Sequence, residues 1–136
     1  YSYTKYCLSS TYGTVDNKRN LESLDDAAVV NWGGNWRMPT YAELNELYEQ
    51  CSWIYVTQNG VKGYRVIGPN GNSIFLPFTG YKDGSVHKTV SSKYWSNEVR
   101  GIYSYLASCL DVMSNNKIEI QGSHRYGGLP IRPVLP

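Results

Sequence analysis

The sequence has few of the patterns from which function is commonly recognised. No apolar run approaches the ~18 residues of a membrane-spanning helix, so no membrane span is predicted. The 136 residues include two histidines and three cysteines. No two cysteines form a C-x-x-C pair, which disfavours zinc and thioredoxin-type sites. Thirteen basic and eleven acidic residues leave a net charge of +2, too small to indicate a nucleic-acid partner or a membrane surface.

Groups that could carry chemistry are isolated from one another. His87 and His124 are far apart in sequence, and neither has a second ligand at helical or hairpin spacing. Asp83-Gly84 offers oxygen atoms for calcium but lacks the acidic pattern of an EF-hand loop. Cys109 lies in an apolar strand, where a thiol is usually buried and unreactive. We therefore predict no catalytic residue, no cofactor and no metal site.

Tyrosine and glycine are abundant, with thirteen of each. Many tyrosines with few charges are typical of β-rich extracellular domains and of binding surfaces, where tyrosine gives contact area at low entropic cost. The alternative is that tyrosine fills half-buried strand positions. The length fits one domain, residues 1–136.

Two helices are predicted in the first half of the chain. Thr40 and Glu43 form a capping box before a helix from about Tyr41 to Gln50, with Leu44, Leu47, Tyr48 and Cys51 on one face. An earlier helix is predicted after Ser23, with acidic residues in its first turn and Gly33-Gly34 at its end.

Short strands are predicted for the rest of the chain. Asn59-Gly60 is a hairpin signal between two β-rich runs, and a third run follows the turn at residues 69–72. Residues 77–93 are predicted to be a long irregular loop, a kind of segment that is often functional. The remaining strands are predicted at 94–96, 102–107, 110–113 and 117–121, before a polar loop at 122–128. Helices followed by many short antiparallel strands indicate an α+β fold.

Nearly the whole chain resembles a known family, the Fibrobacter succinogenes major paralogous domain. The run NWGGNWRMPT at residues 31–40 is its most specific part. The resemblance also covers residues 12–18, 25–28, 51–53, 57–61, 68–77, 80–81, 94–96 and 131–134. The family usually carries an N-terminal strand before the part seen here, and the chain from residue 97 onward matches less closely.

The resemblance implies a C-type-lectin-like fold, of the same broad type as the formylglycine-generating enzyme. It also implies export, in surface lipoproteins of Bacteroidetes, and a binding or adhesive role. The calcium-binding motifs of animal C-type lectins and the paired catalytic cysteines of the enzyme are absent. A weaker resemblance links the chain to variable proteins of diversity-generating retroelements, whose diversified residues lie in the C-terminal third.

The function expected from these observations is a non-catalytic extracellular or cell-surface domain that binds a glycan or a protein. A structural adhesin or pilus-like subunit is the alternative, and an enzyme of the formylglycine-generating type is less favoured. The ligand face is expected to combine the loop around residues 81–93 with polar residues of 97–128. The candidate binding residues are Asn97, Glu98, Arg100, Tyr103, Tyr105, His124, Arg125 and Tyr126. Alternatively, Tyr103 and Tyr105 are ordinary sheet surface.

Two further expectations concern the interior. In an exported protein Cys7–Cys51 is the most plausible disulfide and Cys109 is buried, although three free thiols are equally allowed. The large apolar residues expected to be mostly buried are Trp32, Trp36, Leu44, Leu47, Trp53, Phe75, Leu76 and Trp95.

Overall fold

A computed structural model describes residues 2–136, which form an α+β fold with two helices and three antiparallel sheets. The helices are α1 (Ala27–Trp32) and α2 (Tyr41–Gln50). The strands are β1 (Ser52–Gln58), β2 (Val61–Ile67), β3 (Ser73–Pro77), β4 (Tyr81–Asp83), β5 (Val86–Lys88), β6 (Ser91–Arg100), β7 (Tyr103–Met113) and β8 (Ile118–His124). They pair in the orders β1-β2-β3, β4-β5 and β6-β7-β8. The predicted α+β class is confirmed.

The second helix follows its sequence signal. The Thr40 hydroxyl accepts from the Glu43 amide, and the Glu43 carboxylate accepts from the Thr40 amide, so the capping box is formed. Glu43 also receives two hydrogen bonds from the guanidinium of Arg37, at 2.7 and 2.8 Å. Hydrogen bonding from Arg37 is the main reason why the pKa of Glu43 falls to about 2.

The first helix starts later than predicted, because its cap is Asp26 and not Ser23. Asp26 Oδ1 accepts from the amides of Ala28 and Val29, and the same buried carboxylate accepts from the Met38 amide. This carboxylate therefore joins the helix start to the segment that leads into α2. Gly33 ends α1, as its position predicts.

The first sheet is the predicted meander. Asn59 and Gly60 both have positive φ, 50° and 78°, as a two-residue hairpin of this hand requires. The segment 77–93 differs from the prediction, because most of it forms the β4-β5 hairpin and the start of β6. The two strands predicted at 102–107 and 110–113 are one continuous strand, β7. Strand β8 runs to His124, further than predicted.

The core lies between α2 and the two larger sheets. Its fully buried members are Leu44, Tyr64, Val66, Leu76, Tyr94, Leu110 and Val112. Leu44 and Leu76 are buried as predicted, whereas Leu47, Trp53, Phe75 and Trp95 are only partly buried. Tyr48, predicted on the packed face of α2, is 40% exposed.

The prediction of burial is wrong for the two tryptophans around the double glycine. Trp32 is 59% exposed and Trp36 is 40% exposed. Helix α1 has six residues and only Ala28 of them is buried, so the short helix leaves its last residue, Trp32, at the surface. The aromatic turn that feeds α2 is therefore largely a surface feature.

The three cysteines are free thiols, so the predicted Cys7–Cys51 bridge is wrong. Cys7 is buried in the N-terminal segment, where its backbone amide donates to Asp16 and its thiol to the Ser9 carbonyl. Cys51 ends α2 and packs against the core. Cys109 is buried as predicted. Within residues 2–136, no helix has the length and apolar character needed to cross a membrane.

Candidate functional site

Five aromatic side chains form a continuous contact series where the start of β7 lies beside the end of β8. Tyr105 lies at its centre, with ring centroids 5.2 Å from Tyr12, 5.9 Å from Tyr103 and 5.7 Å from His124. The rings of His124 and Tyr126 stack at 5.1 Å and 15°. We call these five residues the aromatic ladder.

Strand pairing explains why distant residues meet in this ladder. β7 and β8 run antiparallel with Leu106 opposite His124. The Arg125 amide then donates to the Tyr105 carbonyl at 3.1 Å, which continues the pairing past the end of β8. The start of one strand is thereby held beside the end of the other. The structure brings together four of the eight predicted binding residues, namely Tyr103, Tyr105, His124 and Tyr126.

Arg125 holds the N-terminal segment against β7 next to the ladder. Its guanidinium donates to the carbonyl of Ser104 at 2.8 Å and to that of Lys5 at 3.2 Å. It also lies over the ring of Tyr3, 4.5 Å from the centroid, a favourable cation–π geometry. Arg125 therefore ties the N-terminal segment to β7, and its side chain is occupied by this structural role.

Asn97 and Glu98 lie in an irregular part of β6, where the register shifts between Trp95 and Val99. The backbone of Asn97 accepts from Leu21 at 2.8 Å and donates to Pro39 at 2.9 Å. The Glu98 carboxylate accepts from the Tyr41 amide at the start of α2. These two predicted binding residues join three chain segments and contribute no ring to the ladder.

Arg100 packs along the sheet. A Cβ atom built on Gly122 would come 2.5 Å from Arg100 Cδ, so the glycine leaves room for the arginine stem. A cavity of about 160 Å³ lies between Arg125 and the irregular part of β6. Asn97, Glu98 and Arg125 line it, together with apolar side chains that include Leu21, Met38 and Trp95.

A second cavity, of about 170 Å³, adjoins the ladder at His124 and Tyr126. We call it the side pocket. It is lined by Tyr81, Lys82, Asp83, Lys93, Gly122, Ser123, His124, Tyr126 and Gly127. Four of these residues come from the segment 81–93, which the sequence predicted to be part of the ligand face without indicating which residues take part.

An ion pair lies at the wall of the side pocket. Lys93 Nζ is 3.3 Å from Asp111 Oδ2 and 4.9 Å from the centre of the Tyr81 ring. The Gln121 amide also donates to Asp111 Oδ2. The Asp111 side chain is 2% exposed, and its Oδ1 has no hydrogen-bond partner among the described residues. Lys93 lies opposite Asp111 in the β6-β7 pairing; this pairing and the burial of the two side chains were not predicted, because residues 77–93 were expected to be a loop.

The remaining groups that could carry chemistry are the thiol of Cys109 and the imidazole of His87. Burial raises the pKa of the Cys109 thiol to about 12, so the thiol stays protonated at neutral pH. His87 bonds to the Thr79 carbonyl through Nε2, at 2.9 Å. Within residues 2–136, no three His, Cys, Asp or Glu side chains are grouped so that they could hold a metal ion.

Comparison with known proteins gave no match to a family model, to a curated protein or to a solved structure.

Proposed function

We propose that this chain is a non-catalytic binding domain of an extracellular or cell-surface protein, with a C-type-lectin-like fold, and that the aromatic ladder is its ligand-binding surface. The observation that carries the proposal is the exposure of rings that already contact one another. Tyr103 is 47% exposed and Tyr126 is 58% exposed, and His124 between them is also exposed.

Aromatic rings at a surface favour binding for two physical reasons. They offer large contact areas to apolar or partly apolar ligand faces, and their polar atoms still reach water or a ligand. Rings that are held by their neighbours before binding also lose less conformational freedom when a ligand arrives. The ladder rests on paired strands and on Arg125, so its rings belong to a fixed support. The buried, protonated thiol of Cys109 disfavours a thiol-dependent reaction at that residue.

The test is capture by the wild-type protein and by a double variant, Tyr103→Ala with Tyr126→Ala. Both are applied to an array of immobilised glycans and, in parallel, to an array of purified extracellular proteins. We expect the wild type to bind at least one probe and the double variant to lose about tenfold or more in affinity for it.

Tyr48→Ala is the matched control, because Tyr48 is a similarly exposed tyrosine on α2. It should bind as the wild type does. Melting temperatures of all variants are measured so that lost capture is not confused with unfolding. Undiminished capture by a folded double variant would contradict the proposal.

A further inference from the structure

The side pocket has the size of one small ring. Its volume is about 170 Å³ and it is open to solvent, whereas a closed cavity of about 150 Å³ holds one benzene molecule; a larger ring would enter it in part, with its remaining atoms at the surface. It opens beside His124 and Tyr126, the last two rings of the ladder. A ligand that lies along the ladder could therefore place one terminal ring in this pocket.

The lining of the pocket combines aromatic walls with both donors and acceptors. Tyr81, His124 and Tyr126 supply the rings. The ammonium of Lys93 donates, the carboxylate of Asp83 accepts, and the hydroxyl of Ser123 does both. Hydroxyl groups of a ligand also donate and accept hydrogen bonds, whereas a phosphate or carboxylate group only accepts them. The lining therefore matches a ligand that is rich in hydroxyl groups.

The charges at the pocket favour a neutral ligand. Lys82 and Lys93 line it, but Asp83 does so too, and the buried Asp111 neutralises Lys93 at 3.3 Å. An anion would gain from the two cations and lose to the two carboxylates. The ion pair also holds the Lys93 ammonium in one position against the Tyr81 ring, so the donor is oriented before a ligand arrives.

We propose that the side pocket binds the terminal pyranose ring of a neutral glycan. The C–H face of the sugar packs against the ring of Tyr126 or His124, and its hydroxyl groups bond to Lys93, Ser123 and Asp83. The remainder of the glycan lies on the aromatic ladder. This inference rests on the proposed function of the ladder and adds the ligand class and the four residues Tyr81, Asp83, Lys93 and Ser123.

The experiment uses methyl glycosides of glucose, galactose, mannose and N-acetylglucosamine as probes, with methyl glucuronide as the anionic comparison. Binding to the whole chain is measured by saturation-transfer NMR and by titration of chemical shifts. A single ring of roughly a dozen non-hydrogen atoms is expected to bind with a Kd in the millimolar range.

Two variants locate the binding. Ser123→Phe fills the pocket without removing a ladder ring and should weaken binding by about tenfold or more. Asp83→Ala removes an exposed acceptor, perturbs the fold less, and should weaken binding by several-fold; it is decisive if Ser123→Phe does not fold. Tyr48→Ala should bind as the wild type does.

The inference is overturned if no neutral pyranoside binds, if the glucuronide binds more tightly than all of them, or if the folded pocket variants bind unchanged. These results are distinct from failure of the proposed function, which is read from the ladder double variant on the arrays. If the ladder double variant loses protein capture and the wild type binds no pyranoside, the ladder remains the binding surface but its ligand is not a sugar.

Discussion

Replacing Lys93 by methionine would measure how strongly the fold depends on the buried ion pair beside the side pocket. Methionine keeps most of the length of the lysine stem and removes the charge. Asp111 would then remain 2% exposed with only the Gln121 amide as a donor. Because Asp111 Oδ1 has no hydrogen-bond partner among residues 2–136, little else would stabilise the negative charge of this carboxylate.

The expected loss is large for a single substitution. At 3.3 Å and an effective dielectric constant of about 20, the attraction between the two charges is about 5 kcal/mol before desolvation is counted. Removing one member of a buried pair typically costs about 3–5 kcal/mol, since the other charge stays buried and unpaired. We expect a loss in that range for Lys93→Met.

The assay is urea unfolding followed by tryptophan fluorescence. Lys117→Met is the matched control, because Lys117 pairs with Glu119 at 2.9 Å but the two side chains are 55% and 40% exposed. Exposed pairs contribute about 0–1 kcal/mol. A second variant adds Asp111→Asn to Lys93→Met and should recover part of the loss, because it removes the unpaired charge. Equal losses for Lys93→Met and Lys117→Met, or no recovery in the double variant, would refute the reasoning.

Three other predictions concern the scaffold. Leu110→Ala, at a fully buried core position, should lower the free energy of unfolding by about 2–5 kcal/mol in the same urea assay; a loss under about 1 kcal/mol would contradict the packing. The pKa of Glu43 is lowered from 4.5 to about 2, so the unfolded chain takes up its proton first as the pH falls. Stability should therefore decline between those two values, and Glu43→Gln should make the decline shallower in acid titrations. Alkylation of the native protein should modify Cys51 before the fully buried Cys7 and Cys109. After unfolding without reductant, all three thiols should react. Two cysteines that stay unreactive would indicate a disulfide bridge.

Local signals in the sequence predicted the local structure well. The capping box of Thr40 and Glu43 involves residues three apart, and the Asn59-Gly60 turn needs only its own backbone angles. Both predictions are confirmed because each interaction is completed within a few residues. Asp26 is different, because its carboxylate also accepts from Met38, twelve residues away. The bonds of Asp26 to Ala28 and Val29 are an ordinary local cap, which the prediction from Ser23 missed, whereas the bond to Met38 has no local signature.

Burial depends on what covers a side chain, and sequence carries this information poorly. Trp32 and Trp36 are large apolar residues of a type common in protein cores, yet no other segment buries them fully. Gly84 and Ser85 form the turn between β4 and β5, within the segment 77–93 that was predicted to be one irregular loop. That hairpin supplies Tyr81 to the side pocket, so a missed turn also concealed part of the candidate site.

The eight candidate binding residues separate according to where their hydrogen-bonding groups are used. Arg125 donates to carbonyls of two segments, and Glu98 accepts from the start of α2. Both side chains are positioned by bonds to other segments of the fold, whereas the Lys93 ammonium has three donors and faces a single carboxylate, that of Asp111. Tyr103 and Tyr126 differ, because they contact neighbouring rings and still remain 47% and 58% exposed. The sequence placed both kinds of residue in one surface, and only the contacts distinguish the residues that support it from those that are free to bind.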